Sequence, residues 1–418
     1  MSAQSCLTGF ARHLLRCSFT AARPFLFVLF VAFLTLPGGR SIQSGNADGQ
    51  SLPQPLDEFR TVSPGIEHLR INRGHKSEDE RTGPWLINVL RIDLKQAELR
   101  VNHALDEGVG LETTSSIAAR YGAIAAVNAG FFRTSGTYRG ESTGVLMVDG
   151  KLISEPLDGR AAFGLIKSSI GQKIIFGHLK FSGYVKTDRS RRAINGLNRP
   201  RGSDEMIVYT PEFHRSTLTT PEGVEAIVRG NTIIRVKQGA GSSLIPSDGF
   251  VVSAAGTARD WVLANVRAGS RVRLDLSLEP VETRTQDAWK QASFVVGGGP
   301  QLIRAGRVDI TSDDEKVAPR FVSDRHPRTA IARLKDERVL MVTVDGRQPG
   351  VSVGMALPEL AELVLELGAL DAINLDGGGS TTMVVNGKLV NVPSDQPGER
   401  PVSGAILLLP RGLRRASP

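Results

Sequence analysis

The chain has 418 residues, with 51 Lys or Arg against 43 Asp or Glu, so its formal net charge is +8. Four of the arginines lie in residues 1–40 and three in residues 411–418, and neither segment holds an acidic residue. Removing these seven charges leaves residues 41–410 at +1, which argues against a nucleic-acid-binding surface. Glycine accounts for 45 of the 418 residues, a larger fraction than the ~7% of an average protein, which indicates a fold rich in tight turns.

The N-terminal segment has the pattern of a secretory signal. Three arginines precede the apolar run 24–37, which is too short for a spanning helix of about 20 residues. We therefore predict a signal peptide or signal anchor in residues 1–40 and an exported protein, periplasmic or extracellular. Both cysteines, Cys6 and Cys17, precede this run, so the rest of the chain has no thiol for a disulfide, a thiolate metal site or a nucleophile.

Residues 41–82 are polar, with scattered Pro and Gly, and predict a flexible linker. A single large domain is predicted over 83–410, followed by a basic tail over 411–418. The first predicted elements of this domain, from hydrophobic periodicity and a threonine N-cap, are strands over 85–94 and 97–105, a helix over 113–121 and a buried strand over 123–127.

A strand–helix–strand unit follows further along the chain. The apolar run 339–344 ends at Asp345, residues 358–367 have helical spacing, and the run 372–375 ends at Asp376. Such a unit predicts two parallel strands joined by a right-handed crossover. Both aspartates then lie at carboxyl ends of strands, where open α/β sheets bind ligands.

One device occurs three times, a two-residue turn between short apolar runs. It is found at 144–154, 300–308 and 382–391, and the last two copies follow glycine triplets. Turns of this kind need positive φ at both central residues. The predicted fold class is therefore α+β, a mixed sheet with a βαβ unit and glycine-loop hairpins.

The run Asp376-Gly377-Gly378-Gly379-Ser380 is the strongest local motif. Three glycines let the backbone approach a ligand, and their N–H groups can bind an anion. It is not a Walker loop, since no Gly-Lys-Ser/Thr closes it. A turn with unusual φ and ψ is the structural alternative, although one glycine would be enough for a turn.

Polar residues also accompany the ends of other predicted elements. Asn128 precedes an aromatic pair, an arrangement that suits sugar recognition, and Arg328 has the planar fork that matches phosphate. Either residue, like Glu141 and the pair Glu399-Arg400, could equally serve structure alone. No G-x-S-x-G occurs and the few histidines show no metal-binding spacing, so Ser–His–Asp hydrolysis and a histidine metal centre are not indicated.

Six motifs in this order resemble the phosphodiester glycosidase family, with a similarity that extends over roughly 85–410. They are N-A-G-F-F, R-G-E-S-T-G, H-P-R-T-A, V-D-G-R, L-D-G-G-G-S and E-R-P-V-S. The resemblance implies hydrolysis of a glycosyl phosphodiester at its glycosidic bond. A phosphate monoester leaves readily because its second pKa is about 6, so clamping the phosphate matters more than protonating it.

The resemblance implies two sets of site residues. The catalytic carboxyl candidates are Asp376, Glu399, Asp345 and Glu141. The substrate-binding candidates are Asn128, Gly130, Arg328, Thr329, Gly377, Gly378, Gly379, Ser380 and Arg400.

Two other functions stay open at the level of sequence. One is a metal-dependent phosphodiesterase that cuts the P–O bond, with Asp345 and Asp376 as ligands. The other is a non-catalytic glycan-binding protein in polysaccharide biosynthesis or export. No cofactor is required by the sequence, a divalent metal is compatible with it, and the expected partner is a phosphoglycan or sugar-phosphodiester substrate. We expect no nucleic-acid partner, and membrane contact only through the N-terminal segment.

Overall fold

The structure, a computed structural model, describes residues 58–74, 83–157 and 159–411. The strands of the first half are β1 (Arg60–Ser63), β2 (Ile66–Arg73), β3 (Trp85–Ile92), β4 (Ala97–His103), β5 (Ala125–Asn128), β6 (Leu146–Val148), β7 (Lys151–Ser154), β8 (Arg160–Ser168), β9 (Gly171–Thr187), β10 (Arg191–Ala193), β11 (Gly196–Leu197), β12 (Met206–Tyr209) and β13 (Val224–Arg229). Those of the second half are β14 (Thr232–Gln238), β15 (Gly249–Ala254), β16 (Val272–Pro280), β17 (Ala292–Gly297), β18 (Gln301–Arg304), β19 (Arg307–Val308), β20 (Arg328–Leu334), β21 (Val339–Val344), β22 (Ala369–Asn374), β23 (Met383–Val385), β24 (Lys388–Leu389) and β25 (Gly404–Pro410). The α-helices of the described residues are α1 (Thr114–Tyr121), α2 (Gly256–Asn265), α3 (Gln286–Lys290), α4 (Pro319–Ser323) and α5 (Leu357–Glu366).

Two antiparallel sheets position the predicted site. The larger has the order β1-β2-β3-β21-β20-β22-β18-β19, and the smaller has the order β24-β23-β5-β25-β4. Side chains from both sheets share one buried core, in which Leu90 and Ile331 of the larger sheet meet Val127 and Ile406 of the smaller. Each Å² of apolar surface removed from water contributes about 25 cal/mol of stabilisation, so this shared core is the main source of the association of the two sheets.

Two further sheets complete the described part. One has the order β10-β9-β8-β17-β6-β7, with β16 paired to β9, and its strands β6 and β8 contribute to the same core. The other, β11-β12-β15-β13-β14, packs in a second core that it shares with Val185 of β9 and Val272 of β16, and it contains a parallel pair, β11 with β12.

The fold is mostly β, so the predicted α+β class is corrected. The strand–helix–strand unit is present as β21, α5 and β22, but its strands are not neighbours. Strand β20 lies between them and is antiparallel to both, which makes β21 and β22 parallel without a mutual hydrogen bond. Strand β20 lies at this central position with every residue buried except Arg333, which is half-buried. Asp345 and Asp376 nevertheless follow the carboxyl ends of β21 and β22. Because these strands run in the same direction, both aspartates lie at the same edge of the sheet.

The three predicted hairpins are confirmed as β6–β7, β18–β19 and β23–β24. Both central residues of each turn have positive φ, for example Asn386 at 50° and Gly387 at 73°. The predicted helix after the first strands is confirmed as α1, whose N-cap Thr113 accepts a hydrogen bond from the Ser116 backbone N–H.

Part of the predicted linker is structured. Strands β1 and β2 fall within residues 41–82, and β2 pairs along its whole length with β3. Its alternate residues Ile66, His68 and Arg70 are buried, so a polar average concealed a period-2 pattern. The predictions for residues 1–40, 41–57, 75–82 and 412–418 lie outside the described residues. Among the described residues, the helices are all too short or too polar to span a membrane.

Candidate active site

The glycine motif follows β22 as a tight loop that begins at Asp376. The Gly377 N–H donates to Asp376 Oδ1 at 2.9 Å, and the Gly378 N–H donates to the Pro327 carbonyl at 2.8 Å. Burial raises the pKa of Asp376 to about 6, although hydrogen bonds from Ser380 and Gly377 and the charge of Arg400 act in the opposite direction. Because this pKa lies below 7, the side chain is mostly ionised at neutral pH. The loop therefore presents a half-buried carboxylate, and removing more water from it is costly.

Two arginines lie over the next two glycines. A Cβ on Gly378 would be 3.0 Å from Nη2 of Arg347, and a Cβ on Gly379 would overlap the Arg400 guanidinium and the Asp395 carboxylate. Only glycine lets both cations approach the loop backbone so closely. The loop therefore brings together two guanidinium groups and two carboxylates, those of Asp376 and Asp395, and the guanidinium groups are the donors that suit an anionic ligand.

Each arginine is held by a neighbour. Arg400 Nε donates to Asp395 Oδ2 at 2.7 Å, and its Nη1 lies 3.5 Å from the Ser380 hydroxyl. Arg347 is exposed, and its Nη2 lies 3.4 Å from Nδ1 of His326. The φ of Arg347 is 61°, a left-handed conformation that non-glycine residues adopt rarely and that is concentrated at functional sites.

Asn128 ties the loop to both sheets from below. Its Nδ2 donates to the Asp376 carbonyl at 2.7 Å, and its Oδ1 accepts from the Thr329 hydroxyl at 2.9 Å and from the Thr382 N–H at 3.2 Å. The side chain is fully buried and all its amide atoms are engaged. Asn128 and Thr329 thus fix the loop and do not face a ligand.

An apolar cavity of about 330 Å³ has none of residues 376–380 in its lining, but it is linked to the glycine loop through the segment 129–131. Its aromatic wall is formed by Phe131, Phe132 and Phe321, and the rings of Phe131 and Phe321 meet edge to face at 6.0 Å. Phe131 comes two residues after Ala129, whose carbonyl accepts from the Asp376 N–H at 3.3 Å. The cavity has the size of small-ligand sites.

Residues 222–409 match the sequence profile of the phosphodiester glycosidase family. This stretch, which includes the glycine loop, Arg347 and Arg400, is similar to that family. It is 32% identical over 184 residues to the N-acetylglucosamine-1-phosphodiester alpha-N-acetylglucosaminidase of Bos taurus, a match that covers 42% of this chain and 34% of that protein. The chain thus spans about a third of the length of the curated relatives it matches.

Solved structures of bacterial proteins share the fold. One is a Burkholderia pseudomallei protein whose name describes it as exported, with a TM-score of 0.75 and 22% identity, covering 87% of this chain and 99% of that one. Another is a hypothetical protein from Synechocystis, with a TM-score of 0.69 and 25% identity, covering 83% of this chain and 62% of that one.

The structure uses Arg328 differently from our prediction. This arginine is 1% exposed and donates to three main-chain carbonyls, those of Met355, Phe321 and Asp324, each at 2.8 Å. Its guanidinium stands 4.9 Å from the Phe321 ring. Burial lowers its pKa to about 10. Its Nε and Nη2 brace helix α4 and the cavity wall, whereas Nη1 makes no hydrogen bond to the residues that the structure describes.

Two predicted catalytic carboxyls are also committed to structure. Asp345 is 1% exposed, and its oxygens accept from Asn391 Nδ2 at 3.1 Å and from the Val392 N–H at 2.9 Å. Burial raises its pKa to about 6. Glu399 accepts from the Ser115 N–H at 2.8 Å and from the Ser115 hydroxyl at 2.6 Å, so it caps the N-terminus of α1.

Glu141 lies in the hairpin that forms the other side of the cavity wall. It is 5% exposed, its Oε2 accepts from Arg133 Nε at 3.0 Å, and burial raises its pKa to about 7. The Thr143 N–H donates to the Phe131 carbonyl at 2.8 Å, which joins this hairpin to the aromatic wall. A carboxyl with this pKa can exchange protons near neutral pH.

Sequence reasoning missed Arg347 as a site residue. It belongs to the V-D-G-R motif, but a lone arginine after Asp-Gly has the pattern of a turn. The glycine candidates Gly377, Gly378 and Gly379 are brought together with Arg400 and Ser380. Gly130 instead allows close packing, since a Cβ there would be 2.5 Å from the Gly297 carbonyl oxygen. Within the described residues there is no group of three or more His, Cys, Asp and Glu side chains arranged for a metal ion.

Proposed function

We propose that this chain hydrolyses a glycosyl phosphodiester, a sugar-1-phosphodiester, at its glycosidic bond. The observation that carries the proposal is the pair of guanidinium groups, Arg347 and Arg400, over a glycine loop that begins with the Asp376 carboxylate. Two fixed cations suit the two oxygens of a phosphodiester and the additional charge that develops when the sugar–oxygen bond breaks.

In this mechanism Asp376 is the carboxylate that activates water or stabilises the oxocarbenium ion. The leaving phosphate monoester needs little protonation because its second pKa is about 6. The neighbouring aromatic cavity, with Phe131 and Phe321, receives the sugar face of the substrate. Glu141, with its pKa raised to about 7, is the candidate for any second proton transfer.

The proposed setting is outside the cytoplasm, on an envelope or exopolysaccharide glycan. The basic and apolar N-terminal pattern supports export, and so does the name of the Burkholderia pseudomallei relative. Fractionation of cells that express the full chain tests this part, because recovery in the cytosol alone contradicts it.

The decisive experiment is hydrolysis of a panel of sugar-1-phosphodiesters in water enriched in ¹⁸O. Glycosidic cleavage puts the label in the released sugar, whereas P–O cleavage puts it in the phosphate. Label in the phosphate together with loss of activity in a chelator establishes the metal-dependent phosphodiesterase instead. Glycan binding without turnover by any substrate of the panel leaves the binding protein.

The metal alternative has weaker structural support. Asp345 has both oxygens occupied by protein donors and its side chain is closed to solvent, so it cannot join Asp376 on a shared ion without rearrangement.

A further inference from the structure

A second cavity, of about 480 Å³, lies at the other end of the strands that carry the glycine loop. We call it the distal cavity. It is lined by Arg333 and Asp371, which pair across β20 and β22 far from Arg328 and Asn374. Asp376 is five positions after Asp371, roughly 16 Å of extended chain at ~3.3 Å per residue. The distal cavity is therefore separate from the candidate active site.

The floor of the distal cavity is the indole of Trp289. A Cβ on Gly164 would be 2.8 Å from this ring and one on Gly177 would be 3.3 Å from it, so two glycines on neighbouring strands seat the indole. Trp289 is 6% exposed, and its Nε1–H has no hydrogen-bond partner among the described residues. The nitrogen is itself closed to solvent and lies on the side of Gly177, so the indole contributes an apolar floor to the cavity.

The rim of the distal cavity is basic. The lining includes four basic side chains, Lys173, Arg284, Arg304 and Arg333, against two acidic ones, Glu282 and Asp371, a net charge of +2.

The two carboxylates do not neutralise this rim. Glu282 is shared by Arg284 and Arg304, and Arg333 is paired with Asp371. Lys173 is exposed and makes no ion pair within the described ranges. A surplus of donors and positive charge around an apolar floor favours a ligand with an oxyanion and a ring.

We infer that the distal cavity is a second binding site for an acidic sugar unit, with Lys173 as a donor to its oxyanion and the Trp289 ring as its apolar floor. Phosphorylated sugars and uronic acids share this chemistry. The volume accepts one sugar unit or a short oligosaccharide. The inference does not depend on the reaction at the glycine loop.

Calorimetric titration tests the inference with glucose 6-phosphate, glucuronate, glucose and inorganic phosphate as probes. The protein carries Arg347→Asn and Asp376→Asn, so that the glycine loop does not contribute. We expect at least one of the two acidic sugars to bind at one site and neutral glucose to bind much more weakly. Which of the two binds more tightly distinguishes phosphate from carboxylate as the natural group.

Three substitutions locate the binding in this background. Trp289→Phe replaces the indole by a smaller ring, and we expect affinity to fall roughly two- to fivefold through lost ring contact. Lys173→Gln should weaken binding roughly two- to fivefold. Lys180→Gln, an exposed lysine of β9 outside the cavity, is the matched control and should change nothing.

Several outcomes overturn the inference. One is that neither acidic sugar binds. Another is that inorganic phosphate binds as tightly as the acidic sugars. The third is that neither Trp289→Phe nor Lys173→Gln changes the affinity. If Trp289→Phe does not fold, Lys173→Gln against Lys180→Gln still decides, because both lie on the surface.

Discussion

Two substitutions separate the proposed phosphate-binding role of Arg347 from the structural role of Arg328. Arg347→Asn removes an exposed guanidinium but suits the left-handed backbone at this position, where φ is 61°. Loss of one charge-assisted hydrogen bond to phosphate costs about 1.5–3 kcal/mol, so we expect kcat/KM to fall roughly 10- to 100-fold. The free energy of unfolding should change by less than about 0.5 kcal/mol, as at other surface positions.

Arg328→Gln should have the opposite profile. It removes a buried guanidinium from three carbonyls, each at 2.8 Å. Unpartnered buried groups cost about 1–3 kcal/mol each, and one of the three can be recovered by the glutamine amide, so we expect a loss of ~3 kcal/mol in unfolding free energy.

Urea unfolding and steady-state kinetics on the same preparations measure both quantities. The reasoning is refuted if Arg347→Asn retains full kcat/KM while a stable Arg328→Gln protein is inactive. Arg347→Lys adds a further distinction, since it keeps the charge and loses the fork.

Three other predictions concern the same loop. Asp376→Asn should lower kcat by at least 100-fold, and wild-type kcat should rise with pH through about 6, as the carboxyl ionises; a profile flat from pH 5 to 8 contradicts a catalytic Asp376 with a pKa of about 6. Gly379→Ala should raise KM, because its Cβ overlaps Arg400 and Asp395, whereas Gly110→Ala, whose Cβ would meet the Leu105 side chain at 3.3 Å and the Ala104 carbonyl oxygen at 3.5 Å, serves as the control. Glu399→Gln should destabilise the fold by about 1 kcal/mol through the weakened cap of α1 and leave kcat within twofold; a collapse of kcat at unchanged stability would make Glu399 catalytic after all.

Local patterns in the sequence predicted what local physics determines. The primed turns at Asn386-Gly387 and Asp149-Gly150 were predictable because few residues tolerate positive φ at two successive positions. The N-cap at Thr113 was predictable for a similar reason, since its hydroxyl serves a neighbour three residues away.

The same local patterns could not predict features that depend on contacts between distant parts of the chain. The position of β20 between β21 and β22 depends on which apolar strands cover each other, and β-strand order has no short-range signal. Arg328 and Arg347 have similar sequence contexts, each near a strand end and a turn. What distinguishes them is burial, and burial depends on helix α4 and the loop that carries Arg347, which the sequence does not place.

The connections of Asn128 have a consequence for the order of folding. This residue ends β5 and contacts groups at positions 329, 376 and 382, so the loop is fixed by contacts more than 200 residues apart in the chain. Strand β5 is itself paired on one side with β25 and on the other with β23. Contacts of such high sequence separation form late, because closing long loops costs entropy before it is rewarded. Catalytic competence should therefore appear only in the last step of folding, after secondary structure and most of the apolar core have formed.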